Sequence, residues 1–149
     1  MPNMARTTTK RPALKPAELS DGEYRALAQF RAGLRHFLHF SEEAARDAGT
    51  TPAQHQLLLA IRGFAGPSAP VVGDLADALQ LRHHSAVELV DRAERAGLVV
   101  RTPDPDDLRR QHVALTPAGR RLLDQLSVVH RDELRRFRTQ MVDLLSALD

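Results

Sequence analysis

The chain has no cysteine, no tryptophan and a single tyrosine in 149 residues. Without cysteine there is no disulfide framework, no thiol-based redox sensing and no Cys-ligated metal. Aromatics are scarce, with five Phe beside that Tyr, so a Leu/Val/Ala-rich core is expected, which suits helices. No run approaches the roughly 18 consecutive apolar residues of a membrane-spanning helix. The start, MPNMARTTTKRPALKPAELS, lacks the apolar stretch of a secretory signal, and a cytoplasmic soluble protein is expected. Lysine is nearly missing too: only Lys10 and Lys15 among 21 basic residues. The formal charge of +2 is local, because residues 1–18 carry a net +3 and the remainder a net −1. A nucleic-acid role must therefore rest on where particular side chains stand, not on bulk charge.

What is present is a succession of helix signals. In SDGE, Ser20 and Glu23 have the spacing of a capping box. Apolar residues follow at Tyr24, Leu27, Phe30, Leu34, Phe37 and Leu38 in helical steps, stopping at Gly49. In TTPAQHQLLLAIRG, Thr51 is a cap, Pro52 a first helical residue and Gly63 a stop. After the loop GFAGPSAP, Leu75, Ala76 and Leu79 mark one short helix. Gln80 and Leu81 make a turn, and Ala86, Leu89, Val90 and Ala93 mark a second helix ending at Gly97. That is helix-turn-helix spacing. LVVRT and QHVALT then read as a β-hairpin around a charged tip, which turns the motif into a winged helix. Thr116 and Pro117 open a last helix with no glycine or proline after Gly119. Its apolar stripe over roughly 30 residues corresponds to about 45 Å if unbroken. A kink near Arg138–Thr139 is equally compatible with the sequence.

The expected fold is mainly α with a small β-hairpin wing. Residues 1–18 form a disordered basic arm, 19–49 and 117–149 a helical dimerisation region, and 50–116 the winged helix-turn-helix. A second copy of the chain is the economical cover for the two long apolar stripes.

In such a fold the N-terminal turns of the second helix can enter a major groove. Here they hold Arg82, His83, His84, Ser85 and Glu88. The hairpin tip lies beside the neighbouring minor groove, whose negative potential attracts an inserted arginine. DLRR places Asp107 two residues from Arg109, so the carboxylate can fix the guanidinium beforehand, with Arg110 as the alternative groove or phosphate residue. Asp104 and Asp106 must point away from phosphates or brace the loop. Arg92 is read as wing support, paired with Glu88 or bracing the hairpin.

The run DLADALQLRHHSAVELVDRAERAGLVVRTPDPDDLRRQHVALTPAG resembles the multiple-antibiotic-resistance regulator (MarR) family. The shared order is LA-x-x-L-x-L, V-D-R, G-L-V-x-R, then D-x-R and L-T-x-x-G. Ala93 stands where a larger Leu is usual, Val87 replaces a common Ser/Thr, and Arg82 occupies a usually small capping position. The resemblance implies a homodimer on a pseudo-palindromic double-stranded operator, most simply a repressor. It also implies a small-molecule effector, with an aromatic acid as the habitual choice, held between dimerisation helices and DNA-binding lobe. His36, Phe37, Phe40 and His55 are the candidate pocket residues.

Two other readings stay open at this point. A metal-responsive regulator of the same fold would use His36, His39 and His55, and a winged helix can serve as a protein-interaction module. No cofactor is expected, and no catalytic signature stands out: there is no G-x-S-x-G, no Gly-rich phosphate loop and no H-E-x-x-H.

Overall fold

A computed structural model of the chain describes residues 18–149. The basic arm expected at 1–18 lies outside the described residues, Glu18 excepted. The first helix starts where the capping box requires. The Glu23 amide donates to Ser20 Oγ at 3.2 Å, and the Ser20 amide donates to Glu23 Oε2 at 2.7 Å. Two amides orphaned at a helix start are thus satisfied reciprocally. Helix α1 runs Asp21–Asp47. Thr51 caps α2, Pro52–Arg62, through the Gln54 amide at 3.1 Å.

Helix α3 spans Val72–Leu79 and α4 His83–Arg95. Between them Gln80 takes up a left-handed conformation at φ 55°, and this reverses the chain tightly enough to set α4 against α3. Strands β1, Val99–Pro103, and β2, Gln111–Leu115, pair antiparallel, with Val99 opposite Leu115 and Pro103 opposite Gln111. The loop before α3 joins the hairpin: Val71 bridges His112, and the Val113 amide donates to Pro70 O at 2.8 Å.

Thr116 stitches the last helix to the lobe. Its hydroxyl donates to Gly97 O at 2.6 Å while accepting from the Gly119 amide at 3.1 Å. Gly119 allows this approach, because a Cβ there would collide with the Leu98 carbonyl. Helix α5 is then continuous over Pro117–Ser146. Of the two alternatives left open by the sequence, the unbroken helix is the one formed. The Thr139 hydroxyl donates to Arg135 O at 3.3 Å within the helix, a back-bond that α5 accommodates without a break.

The architecture is the expected winged helix-turn-helix flanked by long N- and C-terminal helices. One contiguous core joins α2, α3, α4, the hairpin and the start of α5, through Leu57, Leu58, Leu75, Val90, Val99, Val113 and Leu123. Helices α1 and α5 pack along each other, with Phe37 and Phe137 in ring contact at 5.5 Å. Gly33 lets Met141 and Phe137 press close, since a Cβ there would meet the Met141 side chain at 2.7 Å.

Candidate nucleic-acid interface and the adjoining cavity

Helix α4 is amphipathic in the required sense. Ala86, Leu89, Val90 and Ala93 are buried, as the periodicity predicts. That leaves Arg82, His83, His84 and Glu88 exposed and Ser85 half-buried at the N-terminal turns. These five side chains are the ones at this end of the helix that the core does not take.

The wing tip, residues 104–110, is tied down by two aspartates. Asp107 Oδ1 accepts from both the Arg109 amide and Arg109 Nε at 3.1 Å. These bonds from Arg109, side chain first and backbone second, hold the Asp107 carboxyl below its ordinary pKa. The Arg109 side chain is nevertheless 91% exposed, and with Nη2 3.4 Å from Asp107 Oδ2 the carboxylate holds one edge of the guanidinium. Arg110 is also exposed. Asp104 turns inward: its Oδ1 accepts from the amides of Asp106 and Asp107 at 2.8 and 3.0 Å. It braces the loop, one of the two roles the sequence left for it.

The link between α4 and the hairpin is not the one predicted. Arg92 Nε donates to the Glu88 main-chain carbonyl at 3.4 Å, a long bond within its own helix. It neither pairs with the Glu88 carboxylate nor reaches the wing. The brace is Arg101 on β1, whose Nη2 lies 2.6 Å from Asp91 Oδ1 and 3.1 Å from Glu94 Oε1. The Arg101 amide adds a bond to Glu94 Oε2 at 3.2 Å. Hydrogen bonding from Arg101 holds the Glu94 carboxyl below its ordinary pKa. A strand residue reaches two acidic positions one helical step apart, whereas Arg92 points away along the helix surface.

A cavity of about 1090 Å³ lies between α1, α2, the loop after α2, the end of α3, and α5. Its wall is mostly apolar, with Phe37, Leu38, Leu59, Phe64, Leu79 and Leu134, and Arg131, Arg135 and Arg138 of α5 also line it. Of the four expected pocket residues, Phe37 and His55 line it and His36 and Phe40 do not. The His36 side chain is 79% exposed with Nε2 3.8 Å from Glu133. Phe40 packs against the His130 ring at 5.6 Å. Helical geometry separates His36 from its immediate neighbour Phe37 by about 100°, enough to put one outside and one inside.

His36, His39 and His55 do not converge either. His39 pairs with Glu43 at 3.2 Å, and His55 is only 5% exposed, with its ring 4.6 Å from that of His130. Among the described residues no group of three or more His, Asp or Glu is placed to hold a metal. The ligand set of the metal-responsive alternative is therefore not assembled.

His130 is the cavity residue that sequence reading missed. Its Nδ1 donates to Leu126 O at 2.7 Å and its Nε2 bonds Ser41 Oγ at 2.8 Å. His55 Nδ1 is buried without a partner among the described residues. Burial first, and His130 second, push its pKa below the ordinary histidine value.

Residues 48–110 match the sequence profile of the MarR family. The chain is 30% identical over 105 residues to a Thauera aromatica protein provisionally assigned as transcriptional regulator for the hcr operon. That alignment covers 69% of this chain and 61% of that protein's length. The chain belongs to the MarR family.

Solved MarR-type structures superpose on most of it. CouR from Rhodococcus jostii RHA1, bound to p-coumaroyl-CoA, matches with a TM-score of 0.66 at 25% identity, covering 87% of this chain and 95% of CouR. The MepR–DNA complex of S. aureus matches with a TM-score of 0.66 at 20% identity, covering 83% and 85%. The similar proteins are regulators and not enzymes. This MarR-family chain absorbs its own departures locally. Ala93 is fully buried within the common core, so its neighbours close over the smaller side chain. Arg82 caps α4 in extended conformation at ψ 151° with no side-chain bond to the helix amides, which leaves its guanidinium free.

Proposed function

We propose that this MarR-family protein is a homodimeric, sequence-specific DNA-binding repressor of the cytoplasm, released by a small apolar acid. The observation that carries the reading is Arg109, whose side chain is 91% exposed while Asp107 holds its Nε and Nη2. Fixing a flexible arginine in advance lowers the rotamer entropy lost on insertion into a minor groove. The exposed turn from Arg82 to Glu88 supplies the major-groove side, where Arg82 suits guanine or phosphate and Glu88 a cytosine amino group. Tyr24, Leu38, Val142 and Leu145 remain at least half exposed along α1 and α5, an apolar surface that a second copy would cover. On a two-fold operator the two α4 helices would then face successive major grooves.

The cavity supports the effector half of the proposal. It is apolar at its wall and carries three arginines, a combination that suits an aromatic or acyl body with an acidic end. A regulator of similar fold binds p-coumaroyl-CoA.

Fluorescence-anisotropy titration against the DNA immediately upstream of the protein's own gene tests the reading, run at several salt concentrations with Arg109→Ala alongside. Binding with a steep salt slope from counterion release, weakened about tenfold or more in the variant, is expected. A folded dimer that binds weakly, without regard to sequence or to Arg109, would favour a protein-interaction module instead.

A further inference from the structure

We propose that His112 is a positioning residue for DNA binding: as an imidazolium it latches the wing to the loop before α3 and thereby sets where Arg109 stands. The inference rests on the DNA-binding reading above. His112 lies on β2, and both of its ring nitrogens are engaged. Nδ1 is 2.6 Å from the Ala69 carbonyl oxygen and Nε2 is 2.8 Å from Asp104 Oδ2. A carbonyl and a carboxylate can only accept, so both bonds together require a proton on each nitrogen. A neutral ring carries one proton and would set a lone pair against one of the two oxygens.

Asp104 is shared between this latch and the wing tip. Its other oxygen accepts from the Asp106 and Asp107 amides, and Asp107 in turn holds Arg109. A continuous chain of bonds thus runs from the loop before α3 to the groove-facing arginine. The far side of the latch matters as well. Gly63 and Phe64 to Gly66, at the start of the same loop, line the cavity, while Ala69 at its end meets the wing. A change at the cavity wall has a route to the wing inside one chain.

The Ala69 bond first, and Asp104 second, raise the pKa of His112, against an opposing contribution from Arg110. His112, followed by the two tip amides, holds Asp104 below its ordinary value. The other charged groups near the loop that His112 grips are Arg62 at the end of α2, Arg120 in the first turn of α5 and Asp74 at the start of α3, the last occupied by the Val71 amide at 3.0 Å. Because the folded pKa of His112 is raised, the latch is fully formed below the ordinary histidine value of about 6.5. It is lost as pH rises through the folded value. Asp104 stays ionised across that window, so His112 is the member of the pair that titrates.

The test is the pH profile of DNA affinity, from about pH 5.5 to 8.5, for wild type, His112→Gln and Arg109→Ala at constant salt. Gln keeps a donor but cannot be charged, and His83 and His84 are common to all three proteins, so their contribution cancels in the comparison. The expected result is a wild-type affinity that falls about fivefold or more with rising pH beyond whatever decline H112Q shows. The salt slopes of the two should match, since no phosphate contact is removed, and R109A should be weaker at every pH. Parallel profiles for wild type and H112Q would overturn the latch and leave the DNA reading standing. Absence of saturable, Arg109-dependent binding at any pH would overturn the DNA reading, and the latch with it. If circular dichroism shows H112Q unfolded, Asp104→Asn replaces it. There the midpoint of the profile should move to lower pH, and an unmoved midpoint overturns the proposal.

Discussion

The winged lobe and the α1–α5 helical pair treat their apolar residues in opposite ways. In the lobe, Leu57, Leu58, Leu75, Val90, Val99 and Val113 are almost wholly sealed from solvent, although its helices are only 8 to 13 residues long. The pair contributes helices of 27 and 30 residues. Yet Tyr24 stays 58% exposed, Val142 55% and Leu145 50%. The lobe closes its core by drawing only the first turns of α5 into it. A long apolar stripe left open over the same chain is the surface that the proposed second copy would cover. The sealed core and the surface assigned to the proposed assembly thus lie in different parts of this molecule.

Substitutions can separate the two, and the largest effect belongs to the lobe. Leu58→Ala removes a side chain with no exposure from the centre of the core. The expected cost is about 2–5 kcal/mol, read as a shift of the urea unfolding midpoint. The matching change on the open stripe, Leu145→Glu, should leave the protomer's own packing nearly intact and instead dissociate the proposed dimer. Burying an unpaired carboxylate in an apolar interface costs several kcal/mol, so sedimentation at micromolar concentration should shift from dimer to monomer. A monomeric wild type, or an L145E protein that stays dimeric, would remove the assembly role assigned to this stripe.

Legibility in the sequence divides along a related line, between local and crossing contacts. Local rules suffice where the partners are close in sequence. Ser20 with Glu23, Thr51 with Pro52, Thr116 with Gly119 and Asp107 with Arg109 all act within three positions. The burial of Ala86, Leu89, Val90 and Ala93 follows from helical period alone. What is illegible depends on how elements cross. His112 meets a carbonyl 43 residues away, and His130 meets Ser41 across 89. Neither pairing has a signature at fixed spacing. Arg92 is a case of the same kind: its sequence position suits a helical pair, but only the hairpin's docking angle brings Arg101 onto Asp91 and Glu94. His36 and Phe40 fall outside the cavity that Phe37 and His55 line, on the side of α1 where they border a smaller pocket with Phe137 of α5, because the facing direction of α1 is set by α2 and α5, not by α1 itself.

The smallest expected effect lies on the seam between the two regions, where His55 of α2 faces His130 of α5 at 4.6 Å between rings. His55 belongs wholly to neither region: it is as buried as the lobe's core, yet its Nδ1 has no partner among the described residues. Because burial lowers its folded pKa, the neutral ring is the native form. The stability this contributes is complete above the ordinary histidine value of about 6.5 and is lost as pH falls through the folded value. His55→Leu removes the titrating group and the unpaired nitrogen together. The variant should gain no more than about 1 kcal/mol at neutral pH, and its unfolding midpoint should decline less than that of wild type between about pH 7 and pH 5. Urea titrations across that range distinguish the outcomes. A variant with an undiminished acid decline would show that the seam is insensitive to His55 and that the sensitivity lies elsewhere. A flattened decline would locate the acid-sensitive joint of the molecule at the cavity, where the sealed lobe meets the open helices.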